Sequence, residues 1–154
     1  EMRDRLRRAL EPVVSRPLAP APTPARRQTA DPEAFDLYLR GRHHWNQLTP
    51  LGTRLALQHF ALATERDPAY ALAWAGQVDA QASSPITSDA PPAIATRAAS
   101  DALARARAAG PDLPEVHVST GFVQFFLEWR WPAAARAFET AVARDPSSAL
   151  AQRM

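Results

Sequence analysis

One spacing constrains this chain more than any other. Three prolines close three similar stretches, and the residues before them match. Counting back from Pro68 gives Ala63, Phe60 and Ala56; the same offsets from Pro111 give Ala106, Leu103 and Ala99, and from Pro146 they give Ala141, Phe138 and Ala134. A small, large, small set at i, i+4 and i+7 lies on one face of an α-helix. Alanine on that face lets another helix approach closely, and the large residue fills the gap. The prolines stand 43 and 35 residues apart, intervals that suit an array of helix pairs, with an insertion in the longer one. The expected fold is all-α.

The first unit is the clearest. Asp31 can cap a helix, Pro32 fits its first position, and Glu33 suits the positive end of the dipole. The helix should run to about Trp45, turn at Thr49-Pro50-Leu51-Gly52, and be followed by a second from about Thr53 to Arg66, stopped by Asp67-Pro68. Small residues Gly41, Ala56 and Ala63 flank Phe60 in this unit. The second unit is expected at about Tyr70 to Ala82 and Ala93 to Ala109, interrupted by the insertion at 83–92 and ended by Gly110-Pro111. The third should begin at Pro114, reach Glu128, and restart at Trp131-Pro132 up to Asp145-Pro146. Upstream, residues 2–14 read as a short amphipathic helix, the last of a preceding domain. Its cluster Arg3, Arg5, Arg7 and Arg8 is interrupted by Asp4, which argues against a nucleic-acid helix. Five prolines at 16–32 cannot build a core and prefer extended geometry, so 15–32 reads as a semi-rigid linker.

Several function classes are disfavoured at this level. All 18 basic residues are arginine, yet they are interspersed with 16 acids to a formal charge of +2, so no continuous basic stripe for nucleic acid can be traced. With no cysteine there are no disulfides or thiolate metal sites. No apolar run approaches the roughly 18 residues that span a bilayer. There is no glycine-rich phosphate loop, no HExxH and no Gly-x-Ser-x-Gly elbow. His43 and His44 are adjacent, and side chains about 100° apart on a helix cannot chelate one metal together. His59 and His117 are isolated. Neither an enzymatic activity, a metal nor a cofactor is expected.

The pattern small–Ala–Phe–Ala–Pro resembles the tetratricopeptide repeat over about residues 34–146. The run AFDLYLRGRHHWNQLTP followed by DPAYALAWAGQVDAQ is similar to repeat domains attached to bacterial signalling proteins, among them winged-helix transcription regulators, adenylate-cyclase-like proteins and serine/threonine kinases. The resemblance implies a right-handed α-solenoid of antiparallel helix pairs with about three repeats, 33–68, 69–111 and 112–146, and the start of a fourth at 147–154. It departs from the family in the first helix of each repeat. There the first carries Leu37, Arg40-Gly41 and His44, the second Trp74, Gln77-Val78 and Gln81, and the third His117, Thr120-Gly121 and Gln124. In the family the first helices line a concave groove. Carried over, the groove positions are Phe35, Tyr38, Arg42, Trp45 and Asn46; Leu72, Ala75, Asp79, Ala82 and Ser83; and Glu115, Val118, Phe122, Phe125 and Phe126. Partner-binding residues are therefore expected among Phe35, Tyr38, Arg42, Trp45, Asp79, Phe122, Phe125 and Phe126. The alternative is that several of these aromatics pack on the N-terminal helix or on further C-terminal repeats. The implied function is a non-catalytic scaffold for a protein or peptide partner, with self-association as a variant. The runner-up is a small-effector-binding regulatory domain whose pocket the insertion at 83–92 would roof. The family's chaperone-tail clamp is not implied, because Tyr38, Arg42, Gly76, Glu115 and Ser119 occupy its positions.

Overall fold

The structure, a computed structural model, describes residues 28–88 and 90–145. Among the described residues there are helices and no strand. Helix α1 (Pro32–Trp45) packs on α2 (Pro50–Arg66), α3 (Ala71–Thr87) on α4 (Pro92–Ala109), and α5 (Pro114–Phe122) on α6 (Trp131–Arg144). A π-helical turn, Val123–Leu127, continues α5. The chain is thus all-α and built of packed helix pairs. The expected helix at 2–14, the linker up to residue 27, Pro146 and the segment 147–154 lie outside the described residues.

The ends of the elements follow from their capping chemistry. Asp31 accepts from the backbone N–H of Glu33 at 2.8 Å and Ala34 at 3.1 Å, with Pro32 at the first helical position. This satisfies two donors that the first turn of a helix leaves without an internal partner. Arg66 reaches back from the end of α2 to Glu33 at 2.6 Å and Asp31 at 3.3 Å, tying the open end of the first pair. Helix α2 starts three residues earlier than expected. Thr49 caps it by accepting from Gly52 N–H at 3.0 Å, and Pro50 is its first residue, so the expected turn is a cap and a first helical turn. Gly52 is required there by space, since a Cβ would come within 2.6 Å of the His44 carbonyl at the end of α1.

Phe60 is the centre of the packing. It is fully buried, and its ring lies against two glycines: a Cβ on Gly41 of α1 or on Gly76 of α3 would meet it at 2.5 Å. Ala56, Ala63 and Ala80 are likewise fully buried in the same region. Burial of one large apolar side chain of this kind stabilises by about 1.5–3 kcal/mol. Phe138, at the matching offset in α6, rests on Gly121 of α5 in the same manner but is only partly buried. Leu103 and Ala99 occupy the corresponding core positions of α4.

Two expectations are corrected. Helix α3 does not end at Ala82; it runs through Pro85 to Thr87 and absorbs half of the insertion. A proline inside a helix frees the carbonyl four residues earlier, here that of Gln81, and the Ser84 hydroxyl donates to it at 2.8 Å. Thr87 of α3 then pairs with Thr53 of α2, joining the second pair to the first, at 2.9 Å. Second, the helix expected to reach Glu128 is α-helical only to Phe122. Beyond it the Glu128 N–H bonds to the Val123 carbonyl five residues back, at 3.1 Å.

Candidate functional site

The first helices of the three pairs touch in sequence, α1 on α3 and α3 on α5. One polar chain joins all three. Arg42 of α1 donates from Nη1 to Asp79 Oδ2 of α3 at 3.1 Å, and Ser119 of α5 donates to Asp79 Oδ1 at 2.6 Å. The Asp79 side chain is 3 % exposed and that of Arg42 is 23 % exposed. A carboxylate buried to this degree needs partners, and it has one charged and one hydroxyl donor. Burial raises its pKa to about 6; Arg42 and the Ser119 hydroxyl oppose that shift, while Glu115 adds to it. Ser83 extends the network: its hydroxyl donates to the Asp79 backbone carbonyl at 2.8 Å and accepts from the Trp45 indole N–H at 3.1 Å. The Arg42 guanidinium lies 4.7 Å from the Trp45 ring centroid, a cation–π contact.

The expected site residues divide into those brought together and those set apart. Arg42, Trp45, Asp79 and Phe122 converge, with the Trp45 and Phe122 rings 6.1 Å apart. Phe126 continues the row, 5.8 Å from Phe122, and Phe125 stands edge-on to Phe126 at 5.0 Å. Tyr38 is at the other end, 5.4 Å from Tyr70 and 6.0 Å from Phe60, with burial holding its hydroxyl above the usual tyrosine range. Phe35 is half-buried beside Ala63 and Tyr70. Trp45, Asp79 and Phe122 are buried between helices, whereas Phe125 is 45 % exposed. The middle of the row is therefore closed by packing, and accessible aromatic surface lies at its two ends.

Sequence reasoning did not find Ser119 and Ser83 as members of this network. Their partners in other helices are 38 and 40 residues away, Trp45 for Ser83 and Asp79 for Ser119, and a lone serine among alanines carries no signal of such a contact. Nor did it find what surrounds the π-helical turn. Phe125, Phe126, Leu127 and the 72 %-exposed Trp129 line an apolar pocket of about 280 Å³ with Pro85, Ile86 and Pro92. The insertion thus contributes a wall to that pocket. Thr120, Val123 and Gln124 line a separate polar cavity of about 240 Å³ with Arg107 and Arg130. Trp129 takes a left-handed backbone conformation, φ 56°, which is costly for a bulky residue.

The histidines do not gather metal-ligating partners. His44 lies 5.4 Å from His43 and 5.2 Å from His59 between ring centroids, and His59 uses Nδ1 on the Leu55 carbonyl. No group of three or more His, Asp or Glu among the described residues could hold a metal ion. No helix among the described residues is long and apolar enough to cross a membrane. Comparison with protein-family models, with curated proteins and with solved structures finds no match.

Proposed function

We propose that these helix pairs form a tetratricopeptide-like α-solenoid that holds a protein or peptide partner, without catalysis, as part of a larger bacterial signalling or regulatory protein. The observation that carries this reading is the Arg42–Asp79–Ser119 chain. It joins the first helix of every pair, so the three helices present one shared face with defined spacing. Phe60 held between Gly41 and Gly76 supports the same reading, because it repeats the small–large–small packing at the heart of the resemblance. On the shared face the anchors with exposed surface are the half-buried Phe35 at one end and Phe125 and Phe126 at the other, with the exposed edge of Arg42 between. Aromatic and arginine side chains dominate the energetics of such contacts. Trp45, Asp79 and Phe122 support the face from below.

Peptides selected against the purified protein test this, with affinities measured by fluorescence anisotropy and the contact mapped by NMR shifts. Phe125→Ala is expected to weaken binding by about tenfold or more, in line with the loss of an aromatic anchor. Shifts should concentrate on α1, α3, α5 and the π-helical turn. Unchanged affinity in Phe125→Ala, or shifts confined to α2, α4 and α6, would sink the reading.

A further inference from the structure

The polar cavity beside the π-helical turn has a definite chemical character. Arg107 and Arg130 line it, and Glu128 is the one carboxylate among its lining residues. Glu128 stands 3.5 Å from the Arg130 guanidinium, longer than the roughly 2.7–2.9 Å of a strong charge-assisted bond. Arg130 can therefore turn to another anion at little cost. Arg107 is positioned by Thr120. That hydroxyl donates to the Val116 carbonyl at 2.8 Å and so accepts from Arg107 Nη2 at 3.2 Å. A guanidinium carries five N–H donors in a planar fork that matches phosphate or carboxylate oxygens, and most of the fork on Arg107 remains for an occupant. The third element is Gln124, whose side-chain oxygen is buried with no hydrogen-bond partner. A buried acceptor left unmade is costly, and this one calls for an occupant that donates a proton.

The backbone is shaped to bring these groups together. The π-helical bond from Glu128 N–H to the Val123 carbonyl and the left-handed Trp129 reverse the chain, and the Arg130 N–H then bonds to the Gln124 carbonyl at 2.8 Å. This places Arg130 beside Gln124. Left-handed bulky residues and π-helical turns both concentrate at functional sites.

We infer that this cavity binds a phosphate group, free or carried on a small ester. Two guanidiniums supply the charge. The unpartnered Gln124 oxygen selects a phosphate that keeps a P–OH donor, as a monoester does below its second pKa of about 6, over sulfate, which has none. The cavity is larger than one phosphate group, and Leu103 and Val123 give it an apolar wall against which a short carbon stem can lie. The inference is independent of the scaffold reading, since the cavity is lined from α4, α5 and the residues after α5 and uses none of the shared-face anchors.

Isothermal titration calorimetry at about pH 5, below that second pKa, and at matched ionic strength tests it, with inorganic phosphate, glycerol phosphate and sulfate as probes, on the wild type, Arg130→Gln and Gln124→Met. Saturable binding is expected for phosphate or glycerol phosphate, with sulfate about tenfold weaker or more, one hydrogen bond to a charged group being worth about that. Arg130→Gln should lose about tenfold in affinity for phosphate, and Gln124→Met should lose the preference over sulfate. Both variants should keep the wild-type helical circular dichroism, Arg130 being exposed and Met close to Gln in size. Tighter glycerol phosphate than phosphate assigns the site to an ester, and the reverse order to the free ion. No saturable binding up to about 20 mM, sulfate equal to phosphate in the wild type, or Arg130→Gln indistinguishable from wild type would each overturn the inference.

Discussion

Phe60 and Phe138 hold the same place in their helices, eight residues before a proline, and each rests on a glycine of the preceding helix. They differ in what comes after. Phe60 has α3 on its far side, with Gly76 against the ring, and is wholly enclosed. Phe138 has Gly121 on one side, while on the other Ala135, Glu139, Val142 and Ala143 frame an apolar hollow. Local sequence thus makes the large residue and its small neighbours available, but a second helix turns them into a core. Phe60 is a core residue because it is shared between two pairs. The unit of stability is the interface, not the pair.

The sharpest way to break this comparison is to delete both rings. Phe60→Ala is expected to cost about 3–5 kcal/mol, the range for a large residue in a closed core, and Phe138→Ala about half of that; urea denaturation of each variant reads the difference. Equal costs would mean that the far side of Phe138 is as closed as that of Phe60. The next largest effect concerns the charge that ties the pairs together. Arg42→Gln leaves the Asp79 carboxylate buried without its counter-charge, expected to cost about 3 kcal/mol at pH 7, at the low end for a broken buried pair because Arg42 is partly exposed. Between the ordinary carboxyl value of 3.8 and the native value of about 6, the native state keeps a proton that the unfolded state has released. The contribution of Asp79 to stability therefore falls as pH rises across that window. Asp79→Asn should remove this slope in denaturation midpoints measured from pH 4 to 7, and the cost of Arg42→Gln should shrink below pH 6.

Smaller effects sharpen the contrast. Gly76→Ala pushes a methyl into an enclosed ring and should cost about 1–3 kcal/mol. Gly121→Ala should cost less, because the partly exposed Phe138 can yield; thermal unfolding of the two variants ranks them. Ser84→Ala strips the hydroxyl from the carbonyl that Pro85 leaves open, worth about 1 kcal/mol. Its effect should appear in hydrogen exchange at the end of α3 before it appears in global stability.

Much of this architecture could be read from residues alone, and the limits of the reading have physical causes. Asp31-Pro32, Asp67-Pro68 and Gly110-Pro111 mark helix ends through bonds made within a few residues, and the Ala-Phe-Ala offsets mark packing faces. Pro85 reads as a helix stop because its rescue depends on the rotamer of Ser84 and the contact of Thr87 with Thr53, 34 residues away. The exposure of the expected binding residues was not legible. Whether Trp45 faces solvent or Ser83 is decided by how α1 lies on α3, and no spacing along α1 records that. The cavity at Arg107 and Arg130 was hidden for the same reason: its two arginines come from different pairs and line one cavity beside a π-helical turn that no periodicity announces.

Helix α3 packs against α1, α2, α4, α5 and the π-helical turn. An array in which each unit met its neighbours through one thin seam could lose its helices one after another, each at its own cost. Here the middle cannot melt while the ends persist, since releasing α3 uncaps Asp79, empties the far side of Phe60 and frees the π-helical turn at once. Among the described helices, the slowest amide exchange should therefore be found in α3. A substitution that loosens α3 would be felt in all three described helix pairs at once.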